Sequence, residues 1–255
     1  MPLKEMEYYK DLILELTKKD IKVRYKNSYL GYLWSLANPL FLTLIFYFIF
    51  KIVTKVQIPN YTLFLISGLF IWQWISNSIM AGTNLYISNA SLIKKVNFPR
   101  NFLVISLVLS EGFNFIISIP VIIFFVYFYG KSISLNWSII PVYLTISALF
   151  IYSLSLLIAT INLFFRDMER ITGLFLTFVF YLTPIIYPMS MVPNEYKLYL
   201  YVNIFFPIVN IWQELFFNNH ISYMSILLSV IYSILLVFIS HKIYNKLKYK
   251  FAELV

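Results

Sequence analysis

The sequence predicts an all-α integral membrane protein with six transmembrane helices. Three observations carry that reading. Hydrophobic residues make up 60% of the 255 and charged residues only 12%, with a mean hydropathy of +0.78, so there is too little charge to cover a water-soluble surface. Uncharged stretches recur along the whole chain at about the 20 residues that a helix needs to cross a bilayer. The basic residues gather at the ends of those stretches, where membrane topology accounts for them. The net charge of +9 is therefore read as topology, and nucleic acid is not expected as a partner. The chain has no cysteine, which excludes disulfides and thiolate metal sites. The first apolar run is too long for the core of a signal peptide, so no cleaved leader is expected.

The elements follow in order. In residues 3–17, Met6, Tyr9, Ile13 and Leu16 recur at helical spacing with Glu5, Lys10, Asp11 and Glu15 between them, which reads as an amphipathic helix. It is too charged to span and is placed in the interface plane. With the charged strip Lys18–Lys26 it forms a first segment, 1–26. The rest, 27–255, is the membrane domain, with spans near 29–51, 61–87, 101–129, 137–164, 171–187 and 222–244. Pro39 falls in the first span, where neighbouring groups can satisfy the freed carbonyl. Between the second and third spans lies a polar island, 88–100. Asn89 or Ser91 can cap a short helix there, Leu92 and Ile93 form an apolar tip, Lys94 and Lys95 follow, and Pro99 ends the element.

Residues 189–220 are the difficult stretch. Leu198–Phe217 is long enough to cross, yet a seventh crossing would put the basic C-terminal tail on the opposite side from the N-terminus. With six spans, sixteen of the 20 basic residues share the side of the N-terminus and four lie on the other. By the positive-inside rule both termini are then cytoplasmic. The stretch is read as short helices that enter from the outer side and return. Irregular backbone at that depth must be buried in protein or line a wet cavity.

The sequence carries no engine of its own. There is no G-x-x-x-x-G-K-[ST] loop and only six glycines, no Asp-x-Asp pair, and His220 and His241 are too far apart for a local metal motif. Glu111 is the one acid deep in a span. It reads either as a functional carboxylate or as a hydrogen-bonded packing residue. Tyr181 and Tyr187, around Pro184, read either as packing residues or as rings lining a passage, since aromatic faces stack on sugars while their polar tips hydrogen-bond hydroxyls. Lys22, Arg24 and Lys26 read equally as topogenic or headgroup-binding residues.

Five stretches carry a family resemblance: DIKVRYKNSYLGYLWSLANPL (Asp20–Leu40), NFPR (Asn97–Arg100), NLFFRDMERI (Asn162–Ile171), LTPIIYP (Leu182–Pro188) and NIFFPIVNIWQELF (Asn203–Phe216). In that order, over nearly the whole chain, they resemble landmarks of the permease subunits of polysaccharide-exporting ATP-binding-cassette transporters, which serve O-antigen, capsule and teichoic-acid chains. The resemblance implies a non-enzymatic, multi-pass protein of a bacterial inner membrane. It would work as a homodimer with two cytoplasmic ATPase subunits, which would hold the ATP and Mg, with no cofactor in this chain and lipid-linked polysaccharide as cargo. The island would couple to the ATPase through Ser91, Leu92, Ile93, Lys94, Lys95 and Asn97, with Arg166 and Asp167 in a second cytoplasmic loop. Lys22, Arg24, Lys26, Tyr29 and Gly31 would receive the lipid-linked substrate, and Trp34, Tyr181, Pro184 and Tyr187 would line its path.

Overall fold

The computed structural model describes residues 3–26, 29 and 31–251, with side chains from residue 7 onward. The Met6 side chain, Asn27, Ser28 and Leu30 before the first span, and the last four residues of the basic tail lie outside that description. Among the described residues the structure is helical, without strands.

Helix α1 runs Leu3–Tyr25. It is longer than the apolar spacing alone indicates, because the strip Lys18–Tyr25 contains neither Gly nor Pro and Lys and Arg propagate a helix well. It is not a separate surface helix. Its residues pack along α6, Asn101–Phe128, beginning with Tyr9 edge-on to Phe102 at 5.2 Å. Gly31, at φ +48°, makes the turn into α2, Leu33–Tyr47, which widens into a π-helical end, Phe48–Val53. Helix α3, Tyr61–Thr83, is buried on most sides and forms the centre of the bundle, as a helix apolar all round should. It packs against α2, α6, α7 (Ile140–Asn162), α8 (Met168–Leu182) and α10 (Phe205–Gln213). A short helix, α4 (Leu85–Ser88), leads into the island, and α5 (Ala90–Lys95) lies in it.

Helix α11, Tyr223–Leu247, packs chiefly on α7. Ser225, Ser229 and Ser233 recur every fourth residue and are buried, as is Ser240. Small residues in a stripe let two membrane helices approach closely without a hydrophobic driving force. The Ser233 hydroxyl lies 3.4 Å from the Ile146 carbonyl across that contact.

Among the described residues, five helices are long and apolar enough to cross a bilayer. Helix α8 is too short, at 15 residues or about 22 Å. It stops at Leu182 because Thr183, which precedes Pro184, is held extended at φ −90°, ψ 133°, as a pre-proline residue prefers. The path continues irregularly, and Thr183, Pro184, Ile185 and Ile186 are buried. Tyr61, the first residue of α3, donates to the Ile186 carbonyl at 2.6 Å. Helix α8 is thus completed by buried irregular backbone, the condition under which such backbone is tolerated at membrane depth.

Helices α9 (Asn194–Val202) and α10, extended by a π-helical Glu214–Asn218, meet at 109°. Both outer ends of this V lie at the same end of the bundle. Asn219 accepts from Ser134 at 2.6 Å, and its carbonyl accepts from Asn136 at 2.8 Å, beside the start of α7. Met189 and Met191 line a cavity with Gln57, Pro59 and Phe217. The apex points into the bundle: Phe205 lies against Trp72 of α3 and Phe150 of α7, with ring centroids at 5.9 and 5.4 Å. Asn203 holds the apex, donating to Thr183 at 2.8 Å and accepting from the Phe205 amide at 3.0 Å. The V enters and returns.

Candidate functional site

The island, residues 88–100, the loop 163–167 and the last turns of α11 share one end of the bundle, here the basic end. Its floor is built from distant parts of the chain. Arg100 donates to the Lys248 carbonyl at 2.7 Å and faces the Phe251 ring at 5.9 Å. The Phe251 ring also meets Tyr86 at 4.9 Å and Tyr244 at 5.7 Å. On this floor α5 turns its apolar residues inward. Ile93 is buried and Leu92 half-buried, both packed into the core. The expected apolar tip is therefore corrected: a two-turn helix this close to the bundle gains more by burying those side chains. The outward face is Ser91, Lys94, Lys95, Val96 and Asn97, all exposed. Phe165, Arg166 and Asp167 are exposed beside the start of α8.

Helix α1 ties the island to the bundle. Lys19 donates to the side chain of Asn89, the residue before α5, at 3.1 Å. Ser106 of α6 lies 3.4 Å from the Asp20 carboxylate, whose burial pushes its pKa up from the usual range while Lys19 draws it back. Arg24 forms an ion pair with Glu111, which is 2% exposed. Asn114 donates to the second oxygen of Glu111 at 3.2 Å and accepts from Tyr25 at 2.7 Å. Arg24 is thereby tied to α6, although it remains exposed, as are Lys22, Lys26 and Tyr29.

A groove of about 430 Å³ lies between α2, α3 and α8. Its polar lining is Asn38, Gln73, Ser76, Asn77, Thr177 and Tyr181, with Trp72 and Phe180 supplying rings. The Gln73 side-chain oxygen is buried without a hydrogen-bond partner, which is costly unless something donates to it. The flanking faces of α2 and α8 are apolar and exposed, as at Phe41, Leu44, Leu174 and Phe178. Tyr181 reaches this groove. Trp34 is exposed on α2 outside its lining. Pro184 lines the cavity at the far end instead, and Tyr187 donates back to the carbonyls of Tyr181 and Leu182 at 3.2 and 3.3 Å.

The ABC-2 type transporter family matches residues 11–217. The chain belongs to that family. It is 45% identical over 249 residues to an O-antigen export system permease protein, RfbA, of Klebsiella pneumoniae, covering 97% of this chain and 96% of the relative. A second Klebsiella pneumoniae protein of the same name is 44% identical over the same shares. A Myxococcus xanthus protein so named is 30% identical over 98% of both chains.

In this ABC-2 chain the residues singled out in the sequence do not form one site. They divide between the basic end (Ser91, Lys94, Lys95, Asn97, Arg166, Asp167), the α1 strip (Lys22, Arg24, Lys26, Tyr29, Gly31) and the α2–α8 side (Trp34, Tyr181). The sequence reading missed Asn38, Gln73 and Asn77, although amides inside uncharged stretches were a visible signal. It read Asn89 only as a candidate helix cap and missed Lys19, and no local pattern announces their pairing across 70 residues.

Proposed function

We propose that this ABC-2 chain is the permease subunit of an ATP-driven exporter that moves lipid-linked polysaccharide across the cytoplasmic membrane of a bacterium. The observation that carries the reading is the near-full-length relation, at 45% identity, to proteins named as O-antigen export permeases. The structure supports it chemically. The groove between α2, α3 and α8 offers amides, hydroxyls and aromatic faces at membrane depth, the mixture that hydroxyl-rich chains need. One copy leaves the groove open on a broad apolar face, so the passage requires a second copy. A two-fold pairing of the α2–α8 faces encloses two such grooves. The basic end faces the cytoplasm, where α5 presents Ser91, Lys94, Lys95 and Asn97 to an ATPase subunit that supplies ATP, Mg and work. The chain itself is non-catalytic and holds no cofactor. Lys22, Lys26 and Tyr29 form the uptake side for a lipid-linked diphosphate.

Purification of the tagged chain from native membranes tests the assembly. The expected result is a stoichiometric ATPase subunit, lost on Lys94→Glu with Lys95→Glu. A clean homodimer without ATPase across several detergents overturns it. The cargo is tested in a deletion strain: undecorated lipid-linked glycan must accumulate, and its absence sinks polysaccharide as cargo. A stand-alone proton-coupled carrier built on Glu111 finds little support, since that carboxylate is locked to Arg24.

A further inference from the structure

A further cavity lies on another side of the molecule. About 880 Å³ opens between α1, α6, α7 and α11. Its walls are apolar: Leu14 and Ile21 of α1, Leu109 and Phe113 of α6, Leu149 of α7 and Val237 of α11. One end is different. Asn101 donates to the Tyr152 hydroxyl at 3.3 Å, and that hydroxyl lies 3.3 Å from Nε2 of His241. Nδ1 of His241 lies 3.1 Å from the Val237 carbonyl, which fixes the ring. This polar end is the basic end, and the exposed Lys242 follows His241 on α11.

Three of the four walls are helices long enough to cross a bilayer, so the medium against the opening is acyl chain. From Asn101 to Ile116, both in the lining, α6 advances about 22 Å, which is enough to traverse one leaflet of about 15 Å even when tilted. A cavity that is apolar along its length and polar at one cationic end matches an amphiphile with an anionic head. A second copy of the chain is a poor occupant, because a two-fold interface sets each patch against itself and brings Lys242 towards its own copy.

We propose that this cavity is a site for an anionic bilayer phospholipid. One acyl chain lies between α1 and the α7–α11 pair, and the phosphate sits at Asn101, Tyr152 and His241. Because α1 forms one wall, the lipid also sets how far α1 stands from α7.

The test uses the full chain in vesicles containing phosphatidylglycerol or phosphatidylcholine with a photoreactive acyl chain, and adducts are mapped by peptide. Phosphatidylglycerol adducts are expected to concentrate on Ile105, Leu109 and Leu149 relative to the exposed Leu227 and Ile234 of α11. Filling the cavity with Leu149→Trp, or from the opposite wall with Leu109→Trp, removes these adducts and leaves those on Leu227 and Ile234. Lys242→Ala lowers the preference for phosphatidylglycerol about fivefold, the effect of one surface charge near a membrane. Equal labelling of the cavity and of Leu227 and Ile234, unchanged by either Trp variant, overturns the proposal. So does displacement of the adducts by excess polyprenyl diphosphate, which makes the cavity a substrate site, or a cross-link through it to a second copy.

Discussion

Glu111 depends on Arg24. The carboxylate is almost fully buried, and Arg24, 34% exposed at its side chain, reaches it from a helix 87 residues earlier. Removing Arg24 strands the buried charge, whereas removing both leaves an apolar contact. Arg24→Ala is therefore expected to destabilise the chain by about 3 to 5 kcal/mol, and Arg24→Met with Glu111→Leu to recover most of that, as read by thermal unfolding in detergent. A double variant as unstable as the single one removes the pair from the account. Glu111 was conspicuous in the sequence as a lone acid in an apolar run. Its partner was not, because Arg24 sits among six other basic residues of the first 26, and only the docking of α1 on α6 selects it.

At the scale of elements, close approach and the re-entrant V set the demands. A Cβ at Gly112 would stand 2.9 Å from the Trp74 ring, which cannot retreat because its Nε1 donates to the Val108 carbonyl at 3.1 Å. Gly112→Ala should cost about 1 to 3 kcal/mol through overpacking. Asn203→Ala releases the Phe205 amide and the Thr183 hydroxyl together and is expected to cost about 1 to 3 kcal/mol, with the protease sensitivity of residues 189–204 rising first. An unchanged melting temperature in either variant contradicts the packing described. The V was legible because a seventh crossing would have misplaced the basic tail. The true length of α1 was not, because its apolar stripe weakens after Thr17 while its backbone stays helical. The early end of α8 was signalled by Pro184, yet the uncharged run past it looked continuous.

For the whole molecule, the exposed apolar faces of α2 and α8 are where the proposed second copy would pack. The chain lacks cysteine, so a single introduced thiol can pair only with its counterpart in a second copy. Leu174→Cys or Phe178→Cys, on the exposed face of α8, should give a covalent dimer on mild oxidation, and Leu149→Cys should not. Dimers from Leu149→Cys alone would move the interface to the α7 side. Helix content, span order and the polar island could be read from one sequence because they follow from local hydropathy. Which faces meet could not, since α2 and α8 come together only around α3.

The floor beneath the island also has a schedule. Arg100 closes on the carbonyl of Lys248, made 148 residues later. At translation rates of 5–20 residues per second, that delay is about 7 to 30 s. Throughout it the island is already synthesised, but Tyr86 and Arg100 lack Phe251 and Lys248 to rest on. A chain that ends early never completes the floor on which the island rests. In the proposed assembly the last turns of α11 thus tell the island that synthesis has finished, and an unfinished subunit lacks a finished docking face.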